Sequence, residues 1–516
     1  MQKTLTATTV VLCALQLQGC AFTKHFAYTN ERIGDSTGVA PKASFEIAPR
    51  KTKTQPRVLV LLALSGGGSR AAYFSARTML ALERVPGPDG RPVNVLNEVD
   101  LISSVSGGSL AAAYYASTYD PGEPAPTLGR RVWDEDTVRG LMGQNYISRW
   151  ILNWFWPENI LKFWLTAFDR TDIMAQTFAD NFFDSTVTGL DLHMHDLNPN
   201  RPNLVLNSTI GNRSYDEKKD AQAKRFGTIF TFTQEDFAAR LDSNVASYEL
   251  ARAVMASATF PAAFNYMTLR DFHKPPACPG NHCYLHVFDG GNSDNLGLLS
   301  LKRVLLSHDA AALAGPRSYD RIVVIFVDAY RRSQGADPAA PNPRELLDYV
   351  VDTNFMDATD SLLEANRARI LQEFFARAIA SYEKPEQCSR DNLPAHACVA
   401  REDWRGPRGE RLQALLRQKM FFFHVTFDAV AKDEVREKLH SIPTTFKFAE
   451  GEMEAIEAGV SDIFGNPANA AHDCVRGLGA IIARPSGSEP VVLGNLWCGG
   501  AEPLEAARRE EILRKK

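Results

Sequence analysis

Three short segments of this sequence supply a hydroxyl, a carboxylate and a row of main-chain donors. The first is Ser104-Val105-Ser106-Gly107-Gly108, lying between an apolar run and an alanine-rich stretch. A serine in a tight strand-to-helix turn is held away from the sheet, near the positive end of the helix, provided its flanks are small. Ser104 and Gly108 satisfy that requirement, although glycine more commonly stands where Ser104 does. Taken alone, the segment reads more readily as a plain Ser/Gly turn. The second is Leu64-Ser65-Gly66-Gly67-Gly68-Ser69-Arg70, whose glycine N–H groups can cradle an anion at a helix start. It lacks the closing lysine of a phosphate loop, and Ala71 stands where a dinucleotide fingerprint has its third glycine, a replacement some such loops accept. An oxyanion hole fits better, because acyl transfer needs donors aimed at a developing alkoxide. The third is His286-Val287-Phe288-Asp289-Gly290-Gly291, in which Asp289 leaves an apolar run onto two glycines. Such an aspartate is a base or orienting group deep in a cleft, or a turn residue.

Each segment requires a strand to deliver it. Residues 57–64 form a continuous apolar run of the kind that a buried parallel strand shows, and residues 70–83 have helical composition. Residues 99–105 and 110–116 repeat that strand–helix form. Further strands are expected at 203–208, 284–288, 321–327 and 419–427, with helices at 248–257 and 354–382. Alternation of this kind predicts an α/β fold with a largely parallel sheet flanked by helices.

Composition narrows the class. The chain has 516 residues, 45% hydrophobic and 23% charged, which excludes disorder and fibrous repeats. With 57 basic and 61 acidic residues the net charge is −4, so no overall field favours nucleic acid. No apolar run reaches the ~18 residues of a membrane span. No metal-ligand spacing or EF-hand loop is present, so neither metal nor cofactor is expected.

Together, and in this order, the three segments resemble the patatin-like phospholipase family. Its pattern is a glycine-rich oxyanion loop ending in Arg, a GxSxG serine, then Asp in DG[GA]. The matching residues are Gly66, Gly67, Gly68 and Arg70, then Ser106 with Gly108, then Asp289 with Gly290 and Gly291. Residues 251–258 with Pro261, and residues 292–297, support the likeness, which is strong over 57–330 and looser through 441–445. The resemblance implies a three-layer fold and a Ser106–Asp289 dyad that cleaves phospholipid or lysophospholipid esters through an acyl-enzyme. It further implies an oxyanion hole from the three glycines, with Arg70 fixing the loop, meeting a phosphate or pairing with a carboxylate. Three alternatives stand beside it: an α/β-hydrolase triad using His424, His440 or His472; acyl transfer to an acceptor other than water; and an idle scaffold in the envelope.

The amino terminus suggests export. Lys3 precedes an apolar stretch over 5–17, too short to span a bilayer, and Leu17-Gln18-Gly19-Cys20 resembles a bacterial lipobox. That likeness implies removal of residues 1–19 and lipidation of Cys20, with Ala21 pointing to the outer membrane, facing the periplasm. Residues 20–55 are expected to be a tether, 56–473 the hydrolase domain with an insertion at 383–411, and 474–516 an extension ending in a charged helix. Outside the leader, six cysteines remain, and spacing suggests disulfides Cys278–Cys283, Cys388–Cys398 and Cys474–Cys498, as in an oxidising compartment.

Trp150, Trp154, Trp156 and Trp164 fall in one window with Phe155, Phe163 and Phe168. The window is a lid, acyl channel or membrane contact, or else an aromatic cluster buried on the sheet. Pro157 should divide it into two short helices.

Overall fold

The computed structural model describes residues 28–35, 38–124, 126–212, 226–261, 263–274, 283–307, 319–331, 354–371, 420–484 and 497–498. Its centre is a nine-stranded sheet. The strands are β1 (Val58–Leu64), β2 (Leu101–Val105), β3 (Asn203–Ile210), β4 (Ile229–Thr231), β5 (Met267–Arg270), β6 (Tyr284–Asp289), β7 (Arg321–Asp328), β8 (Met420–Thr426) and β9 (Trp497–Cys498). They run across the sheet as β9-β8-β7-β1-β2-β3-β6-β5, with β4 also on β3. Neighbours from β9 to β3 are parallel, while β6, β5 and β4 pair antiparallel.

Alternation along each strand builds three layers. Val58, Val60, Leu62 and Leu64 of β1 enter one core, with Ala71, Phe74 and Leu110 from the helices over that face. Leu59, Leu61 and Ala63 enter a second core with Leu298, Leu301, Leu305 and Ile370. Successive strand residues point to opposite faces, so a strand covered on both faces must be apolar throughout. That is why β1 reads as an unbroken hydrophobic run. The first core is covered by α1 (Gly68–Leu82), α2 (Gly107–Ser117) and α6 (Leu250–Ser257); α7 (Asn354–Leu371) lies on the other side. Between α2 and α6 come α3 (Tyr146–Trp154), α4 (Pro157–Leu165) and α5 (Arg170–Phe178).

Two expected boundaries differ from the structure. Within the stretch expected to be a tether, 20–55, the described residues 28–35 and 38–55 meet the domain at several points. Glu31–Arg32 pairs with Ser243–Asn244, and Ala40, Ala43 and Phe45 are buried. The Arg50 guanidinium donates to the carbonyls of Asn97, Val99 and Asn200, so the polar composition that suggested a tether serves instead to strap the chain down. The extension assigned to 474–516 begins inside the helix Ala470–Ala483, which buries Val475, Leu478 and Ile482, so the domain continues past that point. The leader, Cys20, the insertion at 383–411 and the charged tail lie outside the described residues. Cys283 and Cys474 are buried, while Cys278, Cys388 and Cys398 lie outside them, as does the side chain of Cys498.

Candidate active site

β2 ends at Val105 and α2 begins at Gly107, leaving Ser106 alone in the turn with φ 49° and ψ −121°. A positive φ at a residue with a Cβ is strained and persists only where the surroundings over-determine it. They do so here. The Ser106 N–H donates to Ser257 Oγ at 3.0 Å, and Ser257 Oγ donates to the Asn207 carbonyl at 2.6 Å. Ser109 Oγ donates to Ser104 Oγ at 3.1 Å, which gives the unusual serine before the turn a partner inside the core. A Cβ on Gly107 would overlap the Gly68 carbonyl, so only glycine lets the turn sit against the glycine loop. Gly108 is pressed similarly on Ser65. Ser257 lies in the supporting segment 251–258, but nothing in the sequence marked its hydroxyl. Without it a buried N–H and a carbonyl would lose their partner, a cost of about 1–3 kcal/mol.

Asp289 closes β6 and is held at its main chain and its carboxylate. Its N–H donates to the Thr259 carbonyl at 3.0 Å, and its carbonyl accepts from Thr209 Oγ1 at 2.8 Å. Gly290 packs on the Asn207 carbonyl, and the Gly291 N–H donates to Asp289 Oδ1 at 2.8 Å. The Ser106 side chain lies near enough to the same carboxylate to favour its ionised form. Burial pushes the Asp289 carboxyl up to about 6, and the bonds from Gly291 and Ser106 offset only part of that push. The group is therefore ionised at neutral pH and far more basic than an ordinary aspartate.

The glycine loop lies over this pair, with one correction to its expected roles. The Gly66 N–H donates to the Asn295 carbonyl at 3.0 Å, so it is occupied and does not serve as an oxyanion donor. Gly67 and Gly68 keep N–H groups with no acceptor among the described residues, at the start of α1. The Asn295 side chain wedges between Gly66 and Gly291 and so spaces the loop from the Asp289 turn. The outer wall is the segment 441–445: the Thr445 carbonyl accepts the Ser69 N–H at 2.7 Å. The Arg70 guanidinium donates to the Ala329 carbonyl at 3.0 Å, to the Ile442 carbonyl and to Thr444 Oγ1 at 3.2 Å, tying the loop to two distant segments.

The histidines of the rival triad lie elsewhere. His424 sits on β8, three strands from β2 and thus roughly 14 Å across the sheet. Its ring stacks on Phe326, and its Nε2 is 3.1 Å from Asp328, which also accepts from Arg367 Nε at 2.8 Å. Burial alone would raise Asp328, but Arg367 and His424 hold its carboxyl below the usual range. His440 pairs with Asp428 at 3.1 Å, and His472 lies on the carboxy-terminal helix. Among the described residues, no histidine hydrogen-bonds Ser106 or Asp289, and no group of side chains could hold a metal ion.

The tryptophan window divides at Pro157 into α3 and α4, as expected. Its rings divide between packed and exposed. Trp150 packs on Phe264, and Trp154 on Phe163, while Phe155, Trp156 and Trp164 are exposed.

Residues 62–302 match the family described as patatin-like phospholipase. No curated protein sequence matches the chain. Among solved structures, the human GIVD cytosolic phospholipase A2 is 11% identical, with a TM-score of 0.37; the overlap covers 83% of this chain and 60% of that one. VipD from Legionella pneumophila is 11% identical over 86% of this chain and 71% of its own, with a TM-score of 0.26. The ExoU–SpcU complex of Pseudomonas aeruginosa follows at 13% identity, 85% and 82% coverage and a TM-score of 0.21.

Proposed function

Residues 62–302 belong to the patatin-like phospholipase family, and from that premise we propose that the chain hydrolyses phospholipid or lysophospholipid esters with a Ser106–Asp289 dyad. Ser106 Oγ attacks the ester carbonyl while its proton passes to the Asp289 carboxylate. The hydroxyl is much the weaker acid, so transfer is concerted with attack, in a buried site where the base has been made stronger. The N–H groups of Gly67 and Gly68 meet the oxyanion, a contribution of about 2.7–4 kcal/mol for each such donor. Collapse of the tetrahedral species breaks the ester C–O bond, and Asp289 returns the proton to the leaving alcohol. Water then attacks the acyl-enzyme with Asp289 as base, releasing the fatty acid and restoring the serine.

One observation supports this reading: Ser106 stands at positive φ in a strained turn beside a buried carboxylate whose pKa is raised. A fluorophosphonate probe applied across a pH series tests it. Labelling is expected at Ser106, with a rate that climbs as pH rises through about 6, because the proton acceptor must be ionised. A rate that is flat with pH, or label on another residue, would overturn the dyad.

The envelope setting belongs to the same proposal. Disulfides Cys278–Cys283 and Cys474–Cys498 are part of that proposal, as an oxidising compartment would permit. Lipidation is proposed at Cys20. Incorporation of labelled palmitate is expected in bacteria expressing the chain and should vanish in Cys20→Ala; label retained by the variant would refute the anchor.

A further inference from the structure

We propose that the outer face of the α3–α4 hairpin is a docking surface for a phospholipid bilayer and sets the candidate active site against it. The inference rests on the lipid-hydrolase reading and adds to it the surface through which lipid is reached. Leu152 (70% exposed), Phe155 (71%), Trp156 (63%), Leu161 (59%), Trp164 (68%) and Leu165 (58%) lie within fourteen residues of chain. Leu161, Trp164 and Leu165 have the spacing of a single helix face. The inner face is complete without them: Trp150 packs on Phe264 with ring centroids 5.5 Å apart and Trp154 on Phe163 at 5.2 Å, while Asn159 Nδ2 donates to the Asn153 carbonyl at 2.9 Å. Of the exposed rings, Phe155 and Trp156 make no ring contact among the described residues, and Trp164 meets Phe163 only edge-on, with centroids 5.8 Å apart. A patch of this kind on a soluble domain marks a surface that is covered in use.

Three observations favour a bilayer as the occupant. The first is residue type, since tryptophan and phenylalanine with leucine on a helix face suit the boundary between headgroups and acyl chains. The second is charge: Arg149 and Lys162 outnumber Glu158 along the hairpin, in a chain whose net charge is −4, which matches anionic headgroups. The third is continuity with the site. From Trp150 the rings pass to Phe264 and then to Phe446, 6.3 Å further on. Phe446 follows Thr445, whose carbonyl holds the Ser69 N–H, and the Phe264 N–H donates to the Phe260 carbonyl, next to the Thr259 carbonyl that holds Asp289. An apolar path thus leads from the exposed hairpin to both walls of the candidate site.

Vesicle sedimentation tests the proposal. The full chain carrying Cys20→Ser, so that no acyl anchor contributes, is mixed with vesicles of phosphatidylethanolamine and phosphatidylglycerol. Binding is expected, and the additional substitutions Phe155→Ser, Trp156→Ser, Leu161→Ser and Trp164→Ser should reduce the partition coefficient by about ten-fold or more. The melting midpoint should stay unchanged, since these side chains are solvated. The ratio of vesicle hydrolysis to hydrolysis of a short soluble ester should fall in parallel. Equal sedimentation of both chains, or no binding by the parent, would overturn the inference. So would a parent dimer that the four substitutions dissociate without any vesicle binding, which would make the face a contact between copies. Ser106→Ala in the same background separates the two readings. If it binds vesicles and still hydrolyses them, the dyad fails and the docking face stands; if it loses hydrolysis while the four-residue variant binds normally, the docking face fails alone.

Discussion

Ser106→Ala is expected to abolish phospholipid hydrolysis, and Asp289→Asn to lower kcat by about three orders of magnitude or more, because each removes one half of a unit that acts only as a pair. The double variant should be no worse than either single one, which separates a shared step from two independent contributions. The two substitutions differ in their effect on stability, and the sign follows from the raised carboxyl. Asp289 titrates near 6 in the folded chain against about 3.9 when unfolded, so the folded state binds its proton more tightly. Its contribution to stability is therefore fully present below the unfolded value and is lost as pH rises through about 6. Asn carries no charge at any pH. Asp289→Asn should accordingly melt higher than the parent at pH 7 to 8 and lose that advantage below about pH 4. Calorimetry at the two pH values, beside initial rates on a phospholipid, reads both effects. A variant that is slower and also less stable at neutral pH would mean that Asp289 is structural, held ionised by partners rather than strained by burial.

How much of this was legible in the sequence depends on whether an interaction runs through side-chain type or through main chain. The β1 run was plain because both its faces are covered, which forces every residue to be apolar. Ser106, Asp289 and the glycines were legible because close backbone packing admits only small residues, and that constraint is written into residue types. Asn295 and Thr445 fall within the segments 292–297 and 441–445 that supported the likeness, but they act on the glycine loop largely through carbonyls, which any residue carries, so their roles there were not legible. The occupied N–H of Gly66 went unseen for the same reason. The antiparallel edge was missed because β4 and β5 are only three and four residues long and show no clean alternation. The strap over residues 38–55 looked like a tether because arginine and lysine read as solvated until their stems and head groups are seen to meet buried carbonyls and carboxylates. In the hairpin, Pro157 marked the division into two helices, but nothing marked which aromatic residues face outward, since both faces are apolar.

Gly68→Ala is the second large effect expected, and it tests the oxyanion loop without touching either reacting group. Gly68 has φ 60°, and a Cβ there would overlap the carbonyl of Thr445, which is fixed by the Ser69 N–H and cannot swing aside. Something in the backbone must shift, and what lies on the other side is Gly107, already in contact with the Gly68 carbonyl. The loop therefore moves relative to Ser106, and its donors lose their aim at the oxyanion. Loss of one such donor costs about 10²–10³ in kcat, and the effect should appear there rather than in KM, because the oxyanion exists only after attack. Gly90→Ala supplies the comparison: its φ is 78°, but no heavy atom lies within 4 Å of the added Cβ. It imposes the same kind of backbone strain with no collision and far from the loop, so its kcat should match the parent. Steady-state rates for the two variants, with melting curves to show that both remain folded, decide the matter. Equal activity in Gly68→Ala and Gly90→Ala would mean that the donors lie elsewhere, while a fall in the first alone places the oxyanion on the turn between β1 and α1.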